Sequence, residues 1–272
     1  MSMLLPRTYL FVPGDRPERF AKALDSGADA VVIDLEDAVL PAAKVAAREA
    51  VHKFLAAADA GVRARIVVRI NDEGTSWYAG DLALLFSSHA GHVMLPKTEK
   101  AETVGHLCAR CPGIAVLALV ETARGVLAAE AIAIAPGVQR LVFGTLDFAL
   151  DLGLSGDPLG LDYAASRLAL ASRAAGIAAP VAGVTTALDD EAVLLADLAR
   201  ARAHGFAAKL CIHPRQVAAI HTALMPTADE LTWAQRVVDA AAQASGAVQL
   251  EGRMIDKPVV ERARRLLERA AR

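Results

Sequence analysis

Ionisable residues follow nearly every short apolar run of this 272-residue sequence. Asp15-Arg16 comes after the first run, Asp34-Leu35-Glu36-Asp37 closes the second, and Arg69-Ile70-Asn71 closes the third. Pro96-Lys97, Glu121 and Gly144-Thr145-Leu146-Asp147 follow the next three, and His213-Pro214 follows the last. Only the seventh run, with Ala182-Gly183, ends without one. A charge beside a buried apolar run costs free energy to desolvate, so folding alone gives a poor reason for the whole set. Any single member still reads as a turn former or helix cap, Asp37 and Asp147 included. Arg69 carries a planar guanidinium suited to gripping a carboxylate with two hydrogen bonds. Glu121 and Asp147 fall on successive runs, and two carboxylates with open positions left for water and substrate oxygens are what Mg²⁺ uses. An equally good reading makes this pair part of a buried salt bridge to Arg69 or Lys97.

The elements that must position these residues are legible from periodicity. Apolar runs at 9–12, 30–35, 64–70, 92–95, 114–120, 139–143, 180–184 and 207–212 are mostly continuous, as in strands covered on both faces. Between them lie Ala-rich stretches of helical period at 17–26, 41–60, 77–88, 98–110, 122–134, 162–175 and 189–204. Eight strands alternating with helices give the rhythm of a TIM (β/α)8 barrel, with catalytic groups expected at the C-terminal strand ends. A doubly wound open sheet is the structural rival. The barrel is expected over residues 1–225 and a C-terminal helical extension over 226–272. Thr227 and Glu230 have capping-box spacing for a helix running to Gly246. A Gly-containing loop and a last helix from about Pro258 follow. This tail is too small to be an ordinary independent domain, so it should pack on the barrel or on a neighbouring subunit.

Composition excludes several classes. Lys+Arg number 29 against 31 Asp+Glu, a formal charge of −2, which argues against nucleic acid as the main partner. Hydrophobic residues make up 54%, a figure swollen by alanine, and disorder is ruled out. The longest uncharged run, 174–188, is broken by Gly176, Pro180 and Gly183, so no membrane span is expected. No secretory signal is evident, and three cysteines are too few for a disulfide framework, which points to the cytoplasm. Cys108 and Cys111 have C-x-x-C spacing but no second pair, and ordinary packing is the default for them. His52, His89, His106, His204 and His221 read as surface or capping residues. Arg262, Arg264, Arg265 and Arg269, interleaved with Glu261 and Glu268, read as a solvated helix face.

The motifs in chain order are similar to one known family. Leu10-Phe11-Val12-Pro13-Gly14 with Arg16 and Lys22, Asp34-Leu35-Glu36-Asp37-Ala38-Val39 with Lys44 and Arg48, and Val68-Arg69-Ile70-Asn71 begin the series. Leu95-Pro96-Lys97, Val120-Glu121-Thr122-Ala123-Arg124-Gly125, Phe143-Gly144-x-x-Asp147, Gly205-Phe206-x-x-Lys209, Ile212-His213-Pro214 and Glu251-Gly252-x-Met254-Ile255-Asp256-x-Pro258 complete it. Together they resemble the citrate lyase β-subunit-like proteins of the HpcH/HpaI aldolase superfamily.

The resemblance implies a TIM barrel that cleaves or forms a C–C bond in a 3-hydroxyacyl thioester of the malyl-, citramalyl- or citryl-CoA type. It implies Mg²⁺ on Glu121 and Asp147, substrate bound by Arg69, Glu121, Gly144 and Asp147, and Arg69 on the keto-acid carboxylate. Phe11, Arg16 and Lys22 match positions that contact coenzyme A. Asp256 matches an acid/base group that reaches an adjacent subunit's active site, the tail serving as a lid on a homotrimer or hexamer; alternatively it is the N-cap of the helix at Pro258. Two departures stand out: Ala182 lies where an acidic residue is usual, and Ala208 replaces a glycine. Besides a stand-alone lyase with synthase or thioesterase activity, two readings stay open. One is a citrate lyase subunit acting on an acyl-carrier-protein thioester; the other is a ligand-binding barrel with little turnover.

Overall fold

Eight parallel strands close into a barrel in the computed structural model, which describes residues 5–242, 248–250 and 253–270. They are β1 (Thr8–Pro13), β2 (Ala30–Asp34), β3 (Ile66–Arg69), β4 (His92–Leu95), β5 (Ala115–Val120), β6 (Val138–Phe143), β7 (Ala178–Ala182) and β8 (Ala208–Cys211). Each pairs with its sequence neighbour, and β1 closes the ring on β8. The open-sheet rival is thereby excluded. All eight lie within the apolar runs of the sequence or a residue or two beyond them.

Side-chain alternation divides each strand between two cores. Tyr9, Val32, Val67, Met94, Leu117, Leu119, Val142, Val181 and Leu210 fill the barrel interior. Their neighbours turn outward against the helical layer. At the N-terminal end, Arg140 closes the barrel: it donates to Pro6 O (2.6 Å), Ala179 O (2.8 Å) and Tyr9 Oη (3.2 Å). This buried cation therefore has oxygen acceptors around its guanidinium.

The helices are α1 (Phe20–Leu24), α2 (Lys44–Ala57), α3 (Ala60–Ala64), α4 (Tyr78–Ser87), α5 (Ala101–Arg110), α6 (Ala123–Leu127), α7 (Ala129–Ala133), α8 (Thr145–Leu152), α9 (Asp162–Ala174), α10 (Glu191–Ala203) and α11 (Arg215–Leu224). The expected helix at 122–134 is thus two short ones. α8 follows β6 directly and carries Asp147 in its first turn. Cys108 and Cys111 are free thiols whose Sγ atoms lie on the backbone carbonyls of Pro136 and Leu82. Among the described residues no helix is long and apolar enough to cross a membrane.

The chain divides into two compact units between Ile220 and His221. The second contains α12 (Ala228–Ala242), a hairpin of β9 (Val248–Leu250) and β10 (Arg253–Ile255), and α13 (Lys257–Ala270). Its core is Ala234, Val237, Ile255, Ala263 and Leu266. The hairpin stands where only a loop is expected from sequence; Gly246, Glu251 and Gly252 lie outside the described residues. The capping box at α12 forms in both directions. Thr227 N donates to Glu230 Oε2 (2.8 Å), and Glu230 N donates to Thr227 Oγ1 (3.1 Å). Thr227→Ala is expected to cost this unit about 1 kcal/mol, read as a lower midpoint in urea unfolding.

Candidate active site

The alternation that fills the barrel also loads its mouth. Two residues beyond Val32, Val67, Leu119 and Val142 stand Asp34, Arg69, Glu121 and Gly144, so all four occupy the next inward layer. Asp34 and Arg69 are register partners on β2 and β3. Arg69 Nε donates to Asp34 Oδ1 (2.7 Å) and Nη2 to Oδ2 (2.6 Å), a two-pronged pair. Nη1 lies 3.0 Å from Glu36 Oε2 and 3.6 Å from Asp37. Phe11 covers one face of the guanidinium, 4.9 Å from its ring centre. Burial works against this charge, but Asp34, Glu36 and Asp37 outweigh it and hold the Arg69 pKa up.

This corrects one expectation. The fork that should grip a substrate carboxylate is already spent on Asp34, because the register sets that carboxylate directly opposite it. The geometry leaves the Nη1 side, shared with Glu36, for an incoming anion. Glu36, to which the sequence assigns no role of its own beyond an acidic strand end, accepts Lys97 Nζ (2.9 Å), while Oε2 is ion-paired but poorly aligned for a hydrogen bond. Burial raises its pKa, against the pull of Arg69.

Glu121 is 3% exposed. It pairs with neither Arg69 nor the Lys97 ammonium, so the salt-bridge reading of this residue fails. Instead Lys97 N donates to Oε1 (2.7 Å) from a backbone in the left-handed region, φ 45°. That conformation is uncommon for a lysine, and it aims the amide at the carboxylate. Oε2 lies against Gly144, where an added Cβ would come within 2.6 Å of it. Burial, then the Glu36 charge, push the Glu121 pKa up to about 8, with Asp147 adding to the rise. Asp147 is exposed on α8 and makes no hydrogen bond or ion pair among the described residues. A buried carboxylate with one oxygen uncommitted, beside a second unpartnered carboxylate, is a donor set that Mg²⁺ fits. Among the described residues no third His, Cys, Asp or Glu joins them. Gly144→Ala is expected to push Glu121 out of this position and weaken cation binding at least tenfold, measured by Mn²⁺ titration.

Behind the mouth, a buried polar chain fixes the β2 loop. Lys44 Nζ donates to Leu35 O, Glu36 O and Asn71 Oδ1, each at 2.6 Å. Asn71 donates from N and Nδ2 to Asp81 Oδ2 (2.9 and 2.7 Å), and Arg48 Nε holds Asp81 Oδ1 (2.9 Å). Lys44, Arg48 and Asn71 thus support the loop that carries Glu36.

The other expected site residues are dispersed. Arg16 and Lys22 are exposed on the segment after β1, whereas Phe11 points into the barrel. Asp256 is exposed and caps α13, accepting from Val259 N (3.2 Å). Ala182 points away from the mouth, and Ala208 sits in the interior cluster. Neither departure touches Glu121, Asp147 or Arg69.

Residues 7–214 match the family model described as HpcH/HpaI aldolase/citrate lyase. Residues 168–272 match that of a C-C bond lyase of the TIM-barrel fold. A citrate lyase subunit beta-like protein of Deinococcus radiodurans is 40% identical over 98% of both chains. A (3S)-malyl-CoA thioesterase of Cereibacter sphaeroides is 33% identical over 97% of this chain and 94% of its own. The crystal structure of protein CitE from Mycobacterium tuberculosis, in complex with magnesium, acetoacetate and coenzyme A, superposes with a TM-score of 0.89 at 38% identity, covering 98% of both chains.

Proposed function

The chain belongs to the HpcH/HpaI aldolase/citrate lyase family, and from that premise we propose that it is a Mg²⁺-dependent carbon–carbon lyase. Its substrate is a 3-hydroxyacyl thioester of the malyl-, citramalyl- or citryl-CoA type, and its products are a keto acid and an acyl thioester. The observation that carries this reading is a pair of carboxylates, Glu121 with one oxygen uncommitted and Asp147 with both, on the same barrel mouth as an immobilised guanidinium.

Glu121 and Asp147 would hold the metal. When bound, Mg²⁺ lowers the pKa of a substrate hydroxyl and stabilises the carbonyl that develops from it. Arg69, fixed by Asp34 and Glu36, neutralises the keto-acid carboxylate from its Nη1 side. Lys97 keeps Glu121 oriented through its amide and ties down Glu36 through its ammonium. Cleavage takes the proton from the substrate hydroxyl and leaves a thioester enolate whose carbon must gain one. Asp256 of a neighbouring subunit is the acid/base group that accepts the first and supplies the second in this reading. Its capping role uses one oxygen and leaves the other for that task. Arg16 and Lys22 supply cationic contacts to coenzyme A phosphates, with Phe11 further in. The protein then works as a cytoplasmic homotrimer or hexamer.

The 33% identity to a thioesterase favours a second outcome on the same intermediate, hydrolysis of the thioester. Incubating the protein and Mg²⁺ with malyl-, citramalyl- and citryl-CoA, with products read by mass spectrometry, tests both. A keto acid plus an acyl-CoA supports the lyase; a hydroxy acid plus free CoA supports hydrolysis. No metal-dependent product from any of the three would overturn the proposal.

A further inference from the structure

A cavity of about 300 Å³ lies behind the sheet rather than at the barrel mouth. Val181, Ala208 and Leu210 face the interior, so their neighbours Ala182 and Lys209 face outward, toward α8–α10. Ala182 and Lys209 are register partners. Phe143, Leu154, Leu161, Ala165, Val193 and Phe206 belong to its apolar part, and Lys209, Asp197, Asp162, Arg200 and His204 to its charged part.

Lys209 is 2% exposed. Its Nζ donates to Gly183 O (2.8 Å) and to nothing else among the described residues. An ammonium has three donors, so two are left unused in an apolar wall. The neighbouring carboxylates already hold donors of their own. Asp197 accepts Thr185 Oγ1 (2.6 Å), and Asp162 takes both prongs of Arg200 (2.9 Å each) and His204 Nε2 (3.0 Å). Asp197 attracts Lys209 but forms no ion pair with it. The side chain beside Lys209 on β7 is only a methyl group, that of Ala182.

We propose that this cavity is a binding site for a short aliphatic carboxylate, whose anionic end pairs with Lys209 Nζ and whose hydrocarbon chain lies against the apolar wall. A single buried cation matches a monovalent head group, and the volume is at the lower end for ligand pockets. Burial lowers the Lys209 pKa, and a bound carboxylate would restore the charged form. The site is separate from the keto-acid position at Arg69, and it holds whether or not the lyase proposal does.

Sodium butyrate is the probe, titrated by calorimetry and by thermal unfolding against sodium chloride at equal ionic strength. The wild-type chain is expected to show saturable butyrate binding and a rising Tm, with n-butylammonium chloride giving neither. Ala182→Asp sets a carboxylate beside Lys209 without touching the mouth, and should abolish the butyrate effect. Lys209→Met keeps the length, removes the charge and should weaken binding at least tenfold. Either variant suffices if the other does not fold. The proposal is overturned by absence of saturable binding to the wild type, or by binding that persists unchanged in a folded variant.

Discussion

Glu121→Gln is expected to lower Mg²⁺-dependent keto-acid release from the preferred thioester by ~10³-fold or more, because a metal-held oxygen contributes several kcal/mol at the transition state. Gln keeps the size of the side chain and an acceptor for the Lys97 amide, so loss of the fold is not the expected cause. A steady-state assay of keto acid formed, with circular dichroism as the control for folding, reads the effect. Unchanged turnover would remove Glu121 from the chemistry. The same variant carries a pH signature. The Glu121 pKa rises from the ordinary 4.5 to about 8 in the metal-free fold, so the folded chain holds a proton that the unfolded chain has lost. That contribution to stability is complete below about pH 4.5 and disappears as pH rises through about 8. Metal-free wild type should therefore lose on the order of 2–4 kcal/mol across this window relative to Glu121→Gln. Urea unfolding of both proteins at pH 5 and pH 9 measures the difference.

The second large effect concerns Arg69. Arg69→Met removes the cation paired with Asp34 and leaves Glu36 with the Lys97 ammonium alone. With Asp34 1% and Glu36 6% exposed, the fold should lose about 3–5 kcal/mol. Turnover should fall below detection. Asp34→Asn is the informative partner, because it weakens the two-pronged pair but leaves the cation at 3.0 Å from Glu36. Its expected result is a higher KM for the thioester with Mn²⁺ affinity unchanged. A change in Mn²⁺ affinity without a change in KM would place Arg69 in the metal site rather than on the substrate.

Most of the fold is readable in the sequence because β strands of a closed parallel barrel are covered on both faces. Their apolar runs are therefore continuous, and 92–95 matches β4 residue for residue. The capping box at Thr227 was equally legible, being a local pattern of two side chains and two amides. The hairpin at β9 and β10 was not, since three-residue strands give no periodicity to detect.

The site divides in the same way. That Glu121 and Arg69 stand at strand ends follows from the runs before them. What Arg69 touches depends on inter-strand register, which sets Asp34 opposite it and which no single strand encodes. The partner of Glu121 depends on a left-handed backbone at Lys97, a conformation that a lysine does not advertise. Glu36 was visible as part of an acidic strand end, but its role comes from Lys44 and Lys97, 8 and 61 residues away.

Titration of the metal-free protein with Mn²⁺, followed by electron paramagnetic resonance, tests the mouth site most directly. One tight ion per wild-type chain, lost in both Glu121→Gln and Asp147→Asn and retained in Arg69→Met, is the expected pattern. Tight binding that survives both carboxylate substitutions would contradict the assignment of Glu121 and Asp147 as the metal-holding pair.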